Sequence, residues 1–223
     1  MDIKYKVDEF KKGNFNKQYR NKENHIFVEK DLEYAIRKAY SDMMPRTLKK
    51  KNKGNKTASI NQEQKKKVLN ELAVRVKEYI DDPTQNFDKW HKQTCEQFCD
   101  SFYQCALGDK YEGLHFGKGQ KIVNMTFKYL YCFDDNNKDS FVFCHMPLDK
   151  YTLDWFFEKV CPEEKCHRIA WSNLDYGTVQ TKGSYCWIQT KIKEYLEKQT
   201  EYPNNPLEAE FYIWEDFKKK SNK

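Results

Sequence analysis

Residues 117 to 124 read Gly-Lys-Gly-Gln-Lys-Ile-Val-Asn, and helical patterns lie on both sides of them. Two glycines so close together permit a tight turn with positive backbone φ, and they expose N–H groups at the start of the next helix. Such a helix N-terminus is a favourable site for a phosphate group. We therefore predict a helix–hairpin–helix element in which Lys121 lies in the first turn of the second helix. The residues predicted to contact phosphate are Gly117, Lys118, Gly119 and Gln120.

Outside this element, apolar residues recur at three- and four-residue steps through most of the chain. The pattern predicts helices from Val28 to Met43, Ser59 to Pro83, Phe87 to Leu107, Gln120 to Phe133, Pro147 to Val160, Ser184 to Gln199, and from Asn205 onward. Strand patterns are almost absent. We predict an all-α fold, with one compact helical domain over residues 28–223 and a polar, irregular N-terminal arm over residues 1–27.

The composition limits the class of protein. No stretch approaches the roughly 20 apolar residues that a membrane helix needs, and the first residues are polar, without the apolar region of a signal peptide. We expect a cytoplasmic monomer with no membrane partner, whose eight cysteines are thiols and not disulfides. No two cysteines have the C-x2-C spacing typical of zinc sites, so we predict no metal and no cofactor.

The formal net charge of +6 arises in a single segment. Between Arg46 and Lys56 lie six basic residues and no acid, and the rest of the chain balances at 34 basic against 34 acidic residues. One interpretation is a solvated loop. The other is a phosphate-contacting loop, because clustered lysines release counterions from nucleic acid. On the second interpretation the DNA-binding residues are Lys49, Lys50, Lys51 and Lys53.

A later segment, His145-Met146-Pro147-Leu148-Asp149, begins another predicted helix. Asp149 lies near the helix start, where the positive end of the helix dipole keeps a carboxylate ionised. The sequence therefore places a lysine and an aspartate at the starts of two separate helices.

This arrangement resembles the helix-hairpin-helix DNA glycosylases, the endonuclease III and 8-oxoguanine glycosylase superfamily. Their hairpin reads Gly-x-Gly-x-Lys followed by a small apolar pair, as residues 117–123 do here. Their catalytic aspartate lies in a Pro-x-Asp segment, which is similar to Pro147-Leu148-Asp149. The segment Ser-Tyr-Cys-Trp-Ile-Gln at residues 184–189 is similar to a late helix of the oxoguanine branch. The resemblance covers about residues 87 to 199.

The resemblance implies an enzyme that excises a damaged or modified base from double-stranded DNA, in base excision repair or in antiviral defence. Asp149 would stabilise the positive charge that develops on the sugar. Lys121 would form a Schiff base with the sugar if the enzyme also has lyase activity. The flipped base would enter an aromatic pocket. The candidates for its lining are His145, Tyr151, Trp155, Trp171 and Trp187.

Two other interpretations remain open for the sequence. The first is a non-catalytic helical nucleic-acid-binding protein, in which Asp149 is structural. The second is a helical interaction or regulatory protein of a defence system. A glycosylase requires Lys121 and Asp149 to converge on one cleft, whereas the other two do not. The sequence does not identify the base that would be removed.

Overall fold

The computed structural model describes residues 2–20, 29–50, 60–103, 111–112, 114–133, 138–164 and 169–221. Over these residues the all-α prediction is confirmed. The helices are α1 (Ile3–Asn14), α2 (Lys17–Arg20), α3 (Glu29–Asp42), α4 (Gln62–Asp81), α5 (Phe87–Ser101), α6 (Phe116–Tyr131), α7 (Lys150–Trp155), α8 (Tyr185–Leu196) and α9 (Pro206–Ser221). A short antiparallel pair joins β1 (Lys49–Lys50) to β2 (Tyr111–Glu112). Within the described ranges, no helix combines the length and the apolar character needed to span a bilayer.

Helix α6 is the centre of the fold, and every one of its residues is buried. It packs most extensively against α3 and α5. Apolar residues surround its axis, which is the pattern of a helix enclosed on all sides. Aromatic side chains of α6 such as Phe127 and Tyr129 form the core with rings from its neighbours. The central position of α6 explains why three of its lysines are buried as well.

The N-terminal residues do not form the irregular arm that we predict. Residues 3–14 form α1, which begins at the N-cap Asp2 and packs on α9. Phe10 and Phe15 are buried in the main core, and Lys6 pairs with Glu215 of α9 at 2.8 Å. The polar average of this segment hides an amphipathic helix, so residue 28 does not mark the start of the folded domain.

Two helix starts differ in detail from the predicted ones. The N-cap of α4 is Asn61, whereas the predicted Ser59 lies outside the described residues. In α7 the N-cap is Asp149 itself, and a π-helical turn over Phe156–Val160 continues the helix. Ser184 caps α8 as predicted, accepting a hydrogen bond from Trp187 N.

The glycines of the predicted hairpin lie inside the first turn of α6, and neither has a positive φ. Their role is close packing. A Cβ on Gly117 would lie 2.0 Å from the carbonyl oxygen of Trp171, and one on Gly119 would lie 2.8 Å from that of Cys95. These two glycines therefore do not form the tight hairpin that we predict. They allow neighbouring backbones to approach α6 closely.

Candidate active site

A cleft of about 480 Å³, here called the main cleft, opens where α1, α3, α6, α7 and α9 meet. Aromatic and charged side chains make up most of its lining. The aromatic lining residues are Phe10, Tyr129, Tyr151, Trp171 and Trp214, and the charged ones are Asp42, Lys121, Lys128, Asp149, Lys150 and Glu210.

Lys121 and Asp149 meet in this cleft. Lys121 Nζ donates a hydrogen bond to Asp149 Oδ2 at 2.9 Å. The lysine side chain is 6% exposed and the aspartate side chain 14% exposed, so both are partly shielded from water but border open space. The structure thus brings together the two residues that the sequence proposes as catalytic.

The carboxylate of Asp149 is fixed by the start of α7. Its Oδ1 accepts hydrogen bonds from Tyr151 N at 2.9 Å and Thr152 N at 3.0 Å. Thr152 Oγ1 accepts a reciprocal bond from Asp149 N, which completes a capping box. Burial alone would raise the pKa of Asp149, but the charge of Lys121 and these hydrogen bonds outweigh it and lower the pKa below its ordinary value. Asp149 is therefore an ionised, rigidly held group.

A second ion pair lies in the main cleft, and the sequence analysis does not predict it. Lys128 of α6 pairs with Glu210 of α9, and each side chain is only 1% exposed. The ammonium also lies over the rings of Phe10 at 4.0 Å and Phe211 at 4.7 Å. Burial raises the pKa of Glu210 in spite of Lys128. The available signal was the seven-residue spacing of Lys121 and Lys128, which places both on one helix face.

Three further lysines surround the main cleft, each with its ammonium over an aromatic ring that lines it. We call them the rim lysines. The pairs are Lys38 over Tyr129 at 5.9 Å, Lys150 over Tyr151 at 5.5 Å, and Lys218 over Trp214 at 4.3 Å. Three aromatic rings of the cleft lining therefore each have a lysine ammonium over one face.

The backbone N–H groups predicted to bind phosphate are already engaged inside the protein. Gly117 N donates to Leu174 O at 2.9 Å, and the N–H groups of Lys118 and Gly119 donate to His115 O. The Gln120 side chain is fully buried and donates to Gly117 O and Leu148 O. The first turn of α6 thus has no free surface for DNA. The prediction that residues 117–120 contact phosphate is therefore wrong.

Lys118 is a buried residue with a structural role and does not bind phosphate. Its Nζ donates to Met43 O at 3.0 Å and to Thr47 Oγ1 at 2.8 Å. The ammonium lies 5.2 Å from the centre of the Trp171 ring. Burial lowers the pKa of Lys118 to about 8. Lys118 therefore connects the end of α3 to one wall of the main cleft.

The basic loop is described only at its beginning. The backbones of Lys49 and Lys50 form β1, opposite Glu112 and Tyr111 of β2. Lys51 and Lys53 lie outside the described residues. The role of the basic loop in DNA binding stays a prediction.

The five residues predicted to line a base pocket separate into three groups. Tyr151 and Trp171 line the main cleft. Trp155 and Trp187 are core residues, packed against Tyr195 and Phe156 respectively. His145 lies in a second cleft, of about 650 Å³, which is lined by other residues. Two of the five therefore lie where a base beside Asp149 would be bound.

In the second cleft, His145 belongs to a hydrogen-bonded chain that runs into the core. Its Nε2 lies 2.7 Å from Asp88 Oδ1, and its Nδ1 lies 2.9 Å from the hydroxyl of Tyr185. Asn124 Nδ2 donates to that hydroxyl, and Asn124 Oδ1 is 2.8 Å from His91 Nε2. These contacts connect His145 in the second cleft to the buried His91 through Tyr185 and Asn124.

No family model, characterised protein or solved structure matches the chain. The assignment of a function therefore depends on the geometry of the main cleft and on the sequence motifs.

Metal binding has no geometric basis in the part of the chain that the structure describes. No group of three or more His, Cys, Asp or Glu residues there could hold an ion. The described cysteines are free thiols, and burial raises the pKa of Cys95 and Cys144 well above the ordinary value. These thiols act as small apolar core residues.

Proposed function

We propose that this protein is a DNA glycosylase, which excises a damaged or modified base after its nucleotide leaves the duplex stack. The observation that carries the proposal is the contact of 2.9 Å between Lys121 and Asp149 in a cleft with aromatic walls. The resemblance of residues 117–123 and 147–149 to the glycosylase motifs selects the same two residues.

Asp149 supplies electrostatic stabilisation in this proposal. When an N-glycosidic bond breaks, the base leaves with the bonding electrons and positive charge develops on the sugar. A carboxylate that is ionised and already held by two backbone N–H groups stabilises this charge without reorganising. The low pKa of Asp149 keeps the negative charge available at neutral pH.

Lys121 is the candidate nucleophile. After losing a proton, its amine attacks C1′ of the sugar as the bond to the base breaks, and the attacking nitrogen loses a second proton. The C1′–O4′ bond then breaks, O4′ takes up a proton, and a protonated imine forms between Nζ and C1′. The departing base takes up a proton. In an enzyme without this step, water attacks C1′ and leaves an abasic sugar. Either route requires the sugar to enter beside the Lys121–Asp149 contact.

The surroundings fit a flipped nucleotide. A volume of about 480 Å³ lies in the usual range for small-ligand sites. The rings of Tyr151, Trp171 and Trp214 provide apolar faces against which a base can stack. In this proposal the rim lysines contact the phosphates next to a flipped nucleotide, because lysine–phosphate contacts supply much of the affinity for DNA.

The test is base release from a panel of duplexes that carry damaged or modified bases. The wild-type protein should release at least one base, and borohydride should trap it on that substrate if Lys121 forms an imine. Lys121→Gln should abolish trapping. Asp149→Asn should slow base loss by on the order of a hundredfold or more. A matched control is the surface pair Lys191–Glu194 of α8, at 2.8 Å, whose Gln variants should retain full activity.

One observation favours a second candidate, a non-catalytic nucleic-acid-binding protein. Lys121 and Asp149 satisfy each other as an ion pair, as a purely structural pair would. Salt-dependent DNA binding without base release from any member of the panel would support this candidate. Normal base release by both variants, on a substrate that the wild type cleaves, would show that the active site lies elsewhere.

A further inference from the structure

The Lys128–Glu210 pair has no part in the proposed reaction, yet it is the most deeply buried ion pair in the described part of the chain. Removing two charges from water is costly, and apolar side chains of similar size often replace such pairs without loss of stability. A pair of this kind beside the candidate active site therefore calls for a functional explanation.

The two ion pairs form one electrostatic cluster. Lys121 and Lys128 lie seven residues apart on the same face of α6, and both line the main cleft. Their acidic partners come from α7 and α9. The charges of Lys121 and Asp149 act on Glu210, and the charge of Lys128 acts on Asp149. With both lysines protonated and both carboxylates ionised, the four charges sum to zero.

Lys128 and Glu210 belong to the lining of the main cleft, but each side chain is only 1% exposed, so neither presents its charged group to a substrate. The lysine ammonium is enclosed by the rings of Phe10, Phe211 and Trp214. Both carboxylate oxygens of Glu210 are buried, and Oε1 accepts no hydrogen bond from the described residues. Any effect of this pair on chemistry must therefore pass through its electric field.

We propose that Glu210 is a positioning residue whose carboxylate cancels the charge of Lys128, so that the Lys121–Asp149 pair meets the cationic sugar in balanced surroundings. Without Glu210, the cluster would carry one excess positive charge. That charge would oppose the cationic transition state and would also favour loss of the proton from the ammonium of Lys121. For its reaction, this inference rests on the proposed glycosylase function.

Other titratable or charged groups face the cluster from α3, α6, α7 and α9, whereas α1 contributes the uncharged residues Phe10 and Asn14 to the lining. The titratable or charged groups are Lys38 and Asp42 of α3, Tyr129 of α6, Lys150 and Tyr151 of α7, and Lys218 of α9. The carboxylate of Asp42 accepts a hydrogen bond from the Tyr129 hydroxyl at 2.7 Å. Among the residues that the structure describes, Glu210 provides the carboxylate in direct ion-pair contact with Lys128.

The pH profile of base release tests the inference. In the Glu210→Gln variant, the acid limb of the pH profile of base release should move to lower pH by about one unit. The maximal rate of base release should fall about tenfold. The double variant Lys128→Met/Glu210→Gln removes both charges and should restore the wild-type limb and most of the rate. Glu210→Asp keeps the charge but withdraws it from Lys128, and should shift the limb in the same direction by less. This conservative variant keeps the test available if Glu210→Gln does not fold.

The control is Glu215→Gln, which makes the same chemical change on α9 at a residue that pairs with Lys6 and Lys219 outside the main cleft. Its limb should not move. A general loss of folding lowers the rate at every pH, but it neither shifts the limb nor is reversed by a second substitution at Lys128. Unshifted limbs in Glu210→Gln and Glu210→Asp would overturn the inference.

An activity-independent measurement separates this inference from the proposed function. Labelling of Lys121 by an amine-reactive acylating reagent, quantified by mass spectrometry against pH, reports the same electrostatic change without DNA. The labelling midpoint should fall in Glu210→Gln and return in the double variant. A wild-type protein that releases no base would contradict the glycosylase proposal alone. Equal labelling midpoints in all variants would overturn the role of Glu210.

Discussion

Gln120 and Leu148 are joined by two hydrogen bonds: Leu148 N donates to Gln120 Oε1 at 3.2 Å, and Gln120 Nε2 donates to Leu148 O at 2.9 Å. Leu148 directly precedes Asp149. Helix α6 therefore carries Lys121 and also holds the residue next to its acidic partner. Asn124, one turn further along, donates to Gln120 Oε1 at 3.1 Å and extends the arrangement into the core.

Asn124→Leu should lower the free energy of unfolding by about 3 kcal/mol. The substitution removes the hydrogen bonds that Asn124 makes with Gln120, His91 and Tyr185 in the core, and each buried hydrogen bond contributes about 0.5–1.5 kcal/mol. Urea denaturation measures the change. The control is Asn70→Leu on the exposed face of α4, which should change stability by less than about 0.5 kcal/mol. If Asn124→Leu and Asn70→Leu lowered the free energy of unfolding equally, the result would contradict the hydrogen-bonded network around Asn124.

Replacing all three rim lysines, Lys38, Lys150 and Lys218, with Gln should weaken DNA binding and flatten its salt dependence. The slope of log affinity against log salt should decrease by about 0.9 for every phosphate that these lysines neutralise in the wild type. The control replaces Lys77, Lys191 and Lys198, which lie outside the main cleft, and makes the same change in net charge. If both triple variants have the same slope, the rim does not contact DNA.

The same titrations can separate the rim from the basic loop. A quadruple Gln variant of Lys49, Lys50, Lys51 and Lys53 should also have a slope that is smaller by about one unit for every phosphate that the loop binds. An unchanged slope in this variant would mean that the loop is only a solvated surface.

Gly117→Ala should destabilise the protein by about 1–3 kcal/mol or more, because the added Cβ would lie 2.0 Å from Trp171 O. Rigid backbone lies opposite, so the clash requires α6 to move. Gly13→Ala in α1 is the matched control. It meets no atom within 4 Å and should stabilise the protein by up to about 1 kcal/mol through helix propensity. Thermal and urea unfolding should show opposite signs for the two variants.

The stability contributed by Asp149 should depend on pH in the acidic range. Its pKa in the folded protein is lowered from the ordinary value of 3.8, so the unfolded chain takes up the proton first as pH falls. The contribution is therefore fully present well above pH 3.8 and is lost as pH falls through the lower, folded value. The free energy of unfolding of wild type minus Asp149→Asn should be constant from about pH 7 to about 5 and shrink below about 4. A difference that does not change down to about pH 3 would disagree with the ionised, hydrogen-bonded carboxylate.

Much of the helical architecture could be predicted because it follows from local periodicity and capping. The apolar stripe of α3 and the Ser184 cap of α8 are determined by neighbouring residues, and both agree with the structure. The role of Gly117 could not be found in this way. A Gly-x-Gly sequence serves a tight turn and a close helix contact equally well, and the choice depends on which backbone lies opposite. Here that backbone belongs to Trp171, far along the chain.

The candidate site also combines contacts that local sequence motifs predict with contacts that they do not. The approach of Lys121 to Asp149 could be anticipated, because both lie in short motifs at helix starts. The pairing of Lys128 with Glu210 joins the middle of the chain to α9, and no local pattern indicates it. The closeness of His145 and Asp149 in sequence predicts a shared pocket, but the two residues line different clefts.

The walls of the main cleft come from distant parts of the chain: Phe10 from α1, and Glu210 with Trp214 from α9. Because the chain is synthesised from its N-terminal end, α1 leaves the ribosome well before α9 does. A nascent chain that still holds α9 inside the ribosome has one side of the cleft missing and Lys128 without its acidic partner. The cleft is therefore completed only after translation has passed α9, and a chain interrupted before that point contains Lys121 and Asp149 but not the enclosure around them.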